Sequence, residues 1–590
     1  VRLRDLEDGP ILIPHQGVFI CRAGEGRTAR QFVQELTGKN LKSVCQSVRE
    51  HREAASWDEV MREVRLSTCP AGTIAPPFPQ VDEPSMQVEL SDVRWTDAWR
   101  AATQQLRGKH MWGGLAFEVA RVARDMDLIG LHAESDKVYD HFLAAPGAKS
   151  DGDYSDGQGA FEWATTMRHD MGYSHDGTHA STGRLLYAMA ERYLLTGDRA
   201  WLEQRVVRMQ AAADWIIRQR RTYLQDVPNR QDLFVAGLMP ACMLGDYAIP
   251  SCDWHWYYVD NALSVQGLQR FADAVSDLDP ALGQKYHAEA EAFRNDVRRA
   301  VEKEYALAPV RKGRDGMFHS YLPRMAYAAG LPGPELGAPQ YPDCDRFMGS
   351  LTLAEPYAVI AADDPRMIDT LMLMEEMGTT PESVRDREES RRQQGLAVED
   401  ALFWHCFVSL PKASHNANTF LLQDDVPNFL RFWMNSYAAN VGADGRLWEH
   451  WHLGGYGACE SPDNGTAGWF MENFRNMLVM ELGDSLWLAR GTPRAWLEQG
   501  KSIRVSNAPT CFGPMAYSIR SDVDAGRIYA TIDMPTRNTL KEVVLRLRHP
   551  QAAPIQRVEI NGQASDEFDP LSETVRLKDV SGQVQIVVGY

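Results

Sequence analysis

Residues 178–195 read THASTGRLLYAMAERYLL, and residues 200–221 read AWLEQRVVRMQAAADWIIRQRR, with Thr196-Gly197-Asp198 between them. In both segments apolar side chains return every three or four positions, the repeat of an amphipathic helix. Thr178 and Ser181 are placed to cap the first helix, and the Gly-Asp turn leads into the second. The unit is therefore a helical hairpin.

The same periodicity extends in both directions. It predicts helices over residues 92–106, 115–126, 135–143, 257–275, 281–304, 353–361, 365–377, 396–410, 426–439 and 467–482. Many fall in consecutive pairs, and no fixed short repeat of the solenoid kind connects them. The expected architecture is mainly α, an (α/α)6 barrel of hairpins. Beyond Gly500 the pattern turns to short β-rich runs, with Asn561-Gly562 as a hairpin turn, which predicts a C-terminal antiparallel β-sandwich. Residues 70–84 carry five prolines and read as an extended linker after an irregular start. Three units are expected: 1–90 irregular, 91–499 helical, and 500–590 β-sandwich.

Composition narrows the function. The chain has 590 residues, 62 Lys and Arg against 80 Asp and Glu, and a net charge of −18. An acidic surface disfavours nucleic acid and anionic membranes as partners. No apolar run reaches the length of a bilayer span. The nine cysteines are scattered without a C-x-x-C pair, which favours free thiols and a reducing, cytoplasmic setting over the periplasm.

The chemistry lies between the helices. Residues 109–114 contain Trp112. Residues 151–179 contain Arg168, His169, Asp170, Tyr173, His175, Asp176 and His179. Residues 246–260 end in Asp253-Trp254-His255-Trp256-Tyr257-Tyr258-Val259-Asp260. Residues 341–345 hold Asp343 and Asp345, with Glu355 following. Residues 448–452 read Trp448-Glu449-His450-Trp451-His452, followed by Tyr456 and Glu460. Aromatic faces stack on pyranose rings, while Asp, Glu, His and Arg hold hydroxyls by directional hydrogen bonds. Glycoside hydrolysis needs two carboxyl groups, one protonated and one ionised, across the scissile bond.

Residues 190–221 resemble the recurring hairpin of six-hairpin glycosidases. Residues 445–469, GRLWEHWHLGGYGACESPDNGTAGW, resemble the late barrel loop of the α-L-rhamnosidase-like members, where Trp-Glu-x-Trp places a catalytic carboxylate. That resemblance implies Glu449 as general base, with Trp448 and Trp451 lining the sugar site. Two departures leave the substrate open, between a rhamnosidase-like and a β-glucuronidase-like specificity. Ser461-Pro462-Asp463-Asn464 stands where those enzymes tend to have Asn-His, and their acidic Cys-Pro-Gln-Arg-Asp-Glu-Arg string is missing.

The partner acid comes from another loop. Asp253 is the first candidate, with Asp170 and Asp176 as rivals. Asp253 also stands where it could cap the helix near Tyr257, and Asp176 the helix at Thr178. Substrate contacts are expected from Trp112, Arg168, His169, His175, His179, Trp254, His255, Asp260, Trp448, His450, Trp451 and His452. The spacing of His169, His175 and His179 admits zinc, but hydrogen bonding is the preferred reading and no metal is expected. Asp151, Asp153 and Glu162 imitate a calcium loop, but Asp156 occupies the position that needs glycine. No cofactor is called for.

The expected function is an exo-acting glycoside hydrolase on a polysaccharide-derived oligosaccharide. The alternative is a polysaccharide lyase, with Tyr173 or Tyr258 as base near His415, Asn416 and Asn418. A non-catalytic sugar-binding protein is the third class.

Overall fold

The structure is a computed structural model. It describes residues 85–108, 116–144, 159–161, 178–225, 235–241, 256–308, 310–312, 316–320, 322–323, 325–327, 359–371, 416–441, 445–447, 462–537 and 540–590. The chain enters on a strand, β1 (Gln87–Leu90), and then becomes helical. The helices are α1 (Val93–Leu106), α2 (Ala116–Leu128), α3 (His132–Ala144), α4 (Thr178–Thr196), α5 (Arg199–Gln225), α6 (Tyr258–Ser276) and α7 (Pro280–Tyr305). After the short hairpin β2 (Arg311–Lys312) and β3 (Phe318–His319) come α8 (Asn416–Leu422), α9 (Val426–Asn440) and α10 (Asn464–Leu478). The 178–221 hairpin forms as its sequence predicts, with Gly197 at φ +68° and Asp198 accepting from the Trp201 amide at 3.0 Å.

Aspartates start many of these helices. Asp92, Asp279, Asp425 and Asp463 are N-caps whose carboxylates accept amides of the first turn. Ser181 does not cap α4 but lies within it, and Thr178 is its first residue. Asp253 is not the N-cap of α6, a position held by Tyr257 without a side-chain bond.

Four helices run side by side in one direction. Early α1 packs Trp95 and Trp99 on Phe474, late in α10. At the other end of α1, Gln105 donates to the carbonyls of Leu447 and Asp463, where α10 starts. The chain therefore leaves α1 at the end where α10 begins, and α2 sets out parallel to α10. Late in α2, Arg124 meets Glu191 and Asp127 meets Arg192, both late in α4. Along α4 and α6, Gly183 meets Leu263 and Gly267, Glu191 meets Arg270, and Tyr193 meets Asp277, in step. So α2, α4, α6 and α10 all point the same way.

Their C-terminal ends face the β-region. Arg537 donates to the carbonyls of Leu194 and Leu195 at the end of α4 and to that of Thr510. The helix predicted over 467–482 stops at Leu478, because the chain passes there into β4 (Val479–Leu482). The strand β4 pairs with β5 (Ser485–Leu488), so β-structure begins before residue 500. The strands β6 (Ser502–Ala508), β7 (Met515–Asp522) and β8 (Arg527–Asp533) follow, then β9 (Glu542–Arg546) and β10 (Arg557–Ile560). The last are β11 (Gln563–Ser565), β12 (Phe568–Asp569), β13 (Thr574–Leu577) and β14 (Gln583–Gly589). They form a seven-stranded sheet in the order β1-β6-β7-β8-β14-β10-β11 and a five-stranded sheet in the order β12-β13-β9-β5-β4. Pairing is antiparallel except that β5 runs parallel to β9. Inward residues of both sheets, such as Ile519, Ile532, Leu486 and Leu545, belong to the same continuous core as the helices.

One close helix contact is glycine on glycine. A Cβ at Gly267 would stand 2.5 Å from the Gly183 carbonyl oxygen, a backbone atom with no rotamer to change. Alanine is otherwise favoured over glycine inside a helix by about 1 kcal/mol. Gly267→Ala is nevertheless expected to destabilise the protein by about 1–3 kcal/mol through overpacking, measured by denaturant unfolding. A stabilised variant would mean that α4 and α6 do not touch there.

Candidate active site

The parallel row gives the loop sequences a common address. Residues 109–114 immediately precede α2, residues 151–179 run into α4, residues 246–260 run into α6, and residues 448–460 precede α10. Each of these four helices begins at the end remote from the sheets. Residues 341–345 and Glu355 lie outside the described residues.

Most of the nominated side chains lie outside the described residues: Trp112, Arg168, His169, Asp170, His175, Asp176, Asp253, Trp254, His255, Trp448, Glu449, His450, Trp451 and His452, together with Asp151, Asp153 and Glu162. Two nominees fall inside. His179 is the second residue of α4. Asp260 stands in the first turn of α6 and is 1% exposed. Both are thus at the end of the row where the helices start. Among the described residues there is no group of His, Cys, Asp or Glu arranged to hold a metal ion.

Two residues of the alternative reading are described in full. Tyr258 is completely buried, and burial, reinforced by Glu304, pushes its hydroxyl far above the ordinary value. A base that abstracts a proton must reach the substrate and ionise, and Tyr258 does neither. Asn418 is buried in α8, its side chain accepting from Asn476. Asp463, where the rhamnosidase-like pattern differs, is a fully buried cap that accepts from the Thr466 amide at 2.8 Å and the Thr466 hydroxyl at 2.9 Å.

The structure also contains a charged cluster that the sequence reading passed over. Glu191 of α4 accepts from Arg124 of α2 at 3.1 Å and from Arg270 of α6 at 3.3 Å. Glu472 of α10 accepts from Arg121 at 2.9 Å and Arg124 at 2.5 Å. Asp125 lies beside them, fully buried. Burial alone would raise the Glu191 carboxyl, but Arg124 and Arg270 hold it down at about 2. The signal for this cluster was present as Arg121, Arg124 and Asp125 at helical spacing in an otherwise apolar stretch. Such a stripe normally marks a solvated face.

Asp125 and Glu472 are two carboxyl groups side by side, but they are not a catalytic pair. The Asp125 side chain is wholly inaccessible, and the Glu472 side chain is only 9% exposed. A cavity of about 980 Å³ lies nearby, at the C-terminal ends of the row against the β4–β5 turn. Its walls include Arg124, Glu191, Arg270, Arg475, Glu481 and Cys511. Arg475 bonds Glu481, and Arg270 bonds Glu191. These charges serve one another, at the end of the row opposite the nominated loops.

No family model matches the sequence, and no curated protein does. Among solved structures, similarity is found to an α-L-rhamnosidase from Dictyoglumus thermophilum, with 9% identity and a TM-score of 0.47, over 86% of this chain and 50% of that one. A glycoside hydrolase is similar at 10% identity and a TM-score of 0.37, over 85% of this chain and 77% of that one. A wild-type glycosidase is similar at 12% identity and a TM-score of 0.35, over 65% and 96%. The chain spans half the length of the rhamnosidase it matches.

Removing the shared carboxylate tests the cluster. Glu191→Gln leaves Arg124 and Arg270 short of a buried partner, and a loss of about 3–5 kcal/mol is expected. A depressed folded value means that Glu191 stabilises above its unfolded value of 4.5 and loses this as pH falls toward 2. The stability difference between wild type and variant should therefore shrink on acidification below about pH 4.5, as read by unfolding at a series of pH values.

Proposed function

We propose that this chain is a glycoside hydrolase whose helical part, residues 91–499, closes into a six-hairpin barrel with the site at its open end. The observation that carries the reading is the common direction of α2, α4, α6 and α10. Four loop sequences rich in Trp, His and carboxylates each lead into a helix that starts at the same end. A sugar site with two carboxyl groups requires residues distant in sequence at one rim, and the shared direction of these helices supports that reading.

In this reading Glu449 is the general base and Asp253 the general acid, with Asp170 and Asp176 as the alternative acids. The acid protonates the glycosidic oxygen as the bond to the anomeric carbon breaks. The base takes a proton from the water that attacks that carbon. Trp112, Trp254, Trp448 and Trp451 stack on sugar faces. Arg168, His169, His175, His179, His255, His450 and His452 hold hydroxyls or a uronate carboxylate, while Asp260, buried at 1% exposure, takes no direct substrate contact. The substrate is an oligosaccharide released from a polysaccharide, attacked from its end. The β-region, residues 500–590, supports the barrel.

The test is a panel of neutral and uronate-containing oligosaccharides. Hydrolysis gives new reducing ends without ultraviolet absorbance. An absorbing unsaturated product would establish a lyase instead, and binding without product a lectin-like protein. Glu449→Gln is expected to lower kcat by roughly 10²–10⁴-fold with unchanged thermal unfolding; full activity would remove Glu449 from the mechanism. Asn variants of Asp253, Asp170 and Asp176 then identify the acid. Only the true acid variant should regain rate on aryl glycosides whose leaving group needs no proton.

A further inference from the structure

Asp125 occupies a notch between two helices of the row. Its carboxylate lies where Gly468 leaves room on α10, and a Cβ at 468 would stand 2.2 Å from Asp125 Oδ2. The side chain is fully buried, and neither oxygen has a hydrogen-bond partner. The nearest cations are Arg121 at 3.9 Å and Arg124 at 3.8 Å. Both direct their close bonds elsewhere, Arg121 to Glu472 and Arg124 to Glu472 and Glu191. An ionised carboxylate in such a place bears its desolvation cost without the donors that would offset it. A neutral carboxyl group does not.

We propose that Asp125 carries a proton in the folded protein at neutral pH, and that losing it loosens the contact between α2 and α10, which sets an alkaline limit on the helix row. The groups that face Asp125 are Arg121 and Arg124 on its own helix, Glu472 on α10, and Arg184 on α4. Tyr187 and Glu191 of α4 act through Arg124. Burial, and then the negative charge of Glu472, pushes Asp125 up to about 8 against the pull of the three arginines. The unfolded chain ionises Asp125 near its ordinary value of 3.8. Between these values the folded state holds one proton more than the unfolded state, so stability falls as pH rises through the window and levels off above it.

The experiment is thermal unfolding of the full chain between about pH 5 and 9, with infrared difference spectra of the carboxyl C=O stretch. Wild type should lose several degrees of Tm as pH rises. Asp125→Asn, which is neutral at every pH, should give a flatter curve that lies above wild type at the alkaline end. Wild type should show a protonated-carboxyl band at neutral pH that is missing from the variant. Glu472→Gln removes the neighbouring negative charge and should move the pH at which that band disappears downward. If Asp125→Asn does not fold, the band of wild type against that of Glu472→Gln decides the matter. Parallel Tm curves, or no acid band at neutral pH, overturn the proposal.

Discussion

One carboxylate, Glu191, holds the helix row together. It sits between Arg124 and Arg270, and so joins α2 to α6 through α4. Arg124 continues the connection to Glu472 and thus to α10. Buried ion pairs of this kind contribute little net stability against apolar packing, but they are costly to break. Their effect here is on register. The charges of α2, α4, α6 and α10 meet because these helices run parallel. Glycine at 183, 267 and 468 then lets the helices approach closely enough for those charges to pair.

Parallel helices bring their N-terminal dipole ends together, which is unfavourable unless other elements intervene. The antiparallel return helices α3, α5 and α7 supply that compensation. At the starting end, the summed partial positive charge favours ionised carboxylates. This bears on the two roles a glycosidase requires. A base gains from such a field, whereas an acid must be kept protonated against it by burial or a neighbouring negative charge. Environment alone can separate two carboxyl groups in this way, as it does in the buried cluster between Glu191 and Asp125.

The hairpins were legible because their signals are local. Asp279-Pro280 is a cap followed by a first-turn proline, and the apolar spacing of residues 178–221 has no competing period. What was not legible depends on partners far along the chain. The change from α10 to β4 at Val479 falls within continuous apolar sequence, and only pairing with β5 makes it a strand. The strand β1 reads as loop until Val88 meets Val505, more than four hundred residues away. The arginines of α2 read as a wet face because nothing local announces Glu191 or Glu472. For the candidate site, sequence supplied the chemistry of the loops, and nearly all of those residues lie outside the described ones. The pairing of one acid with one base is a matter of side-chain distance, which residue type and spacing do not encode.

The C-terminal ends of the row are tied to the β-region by fixed cations. Arg537 ties the last carbonyls of α4 to Thr510, and Arg475 ties α10 to Glu481 and Pro509. These contacts satisfy helix C-termini with fixed cations, a favourable arrangement for the dipole and a rigid one. The cavity among them is lined by arginines and carboxylates bonded to one another, so a sugar entering it would have to break buried ion pairs to gain hydrogen bonds. Loops that precede helices carry no such obligation. The ends of the helices at the sheet are thus fixed by ion pairs, and the register of the row is set there.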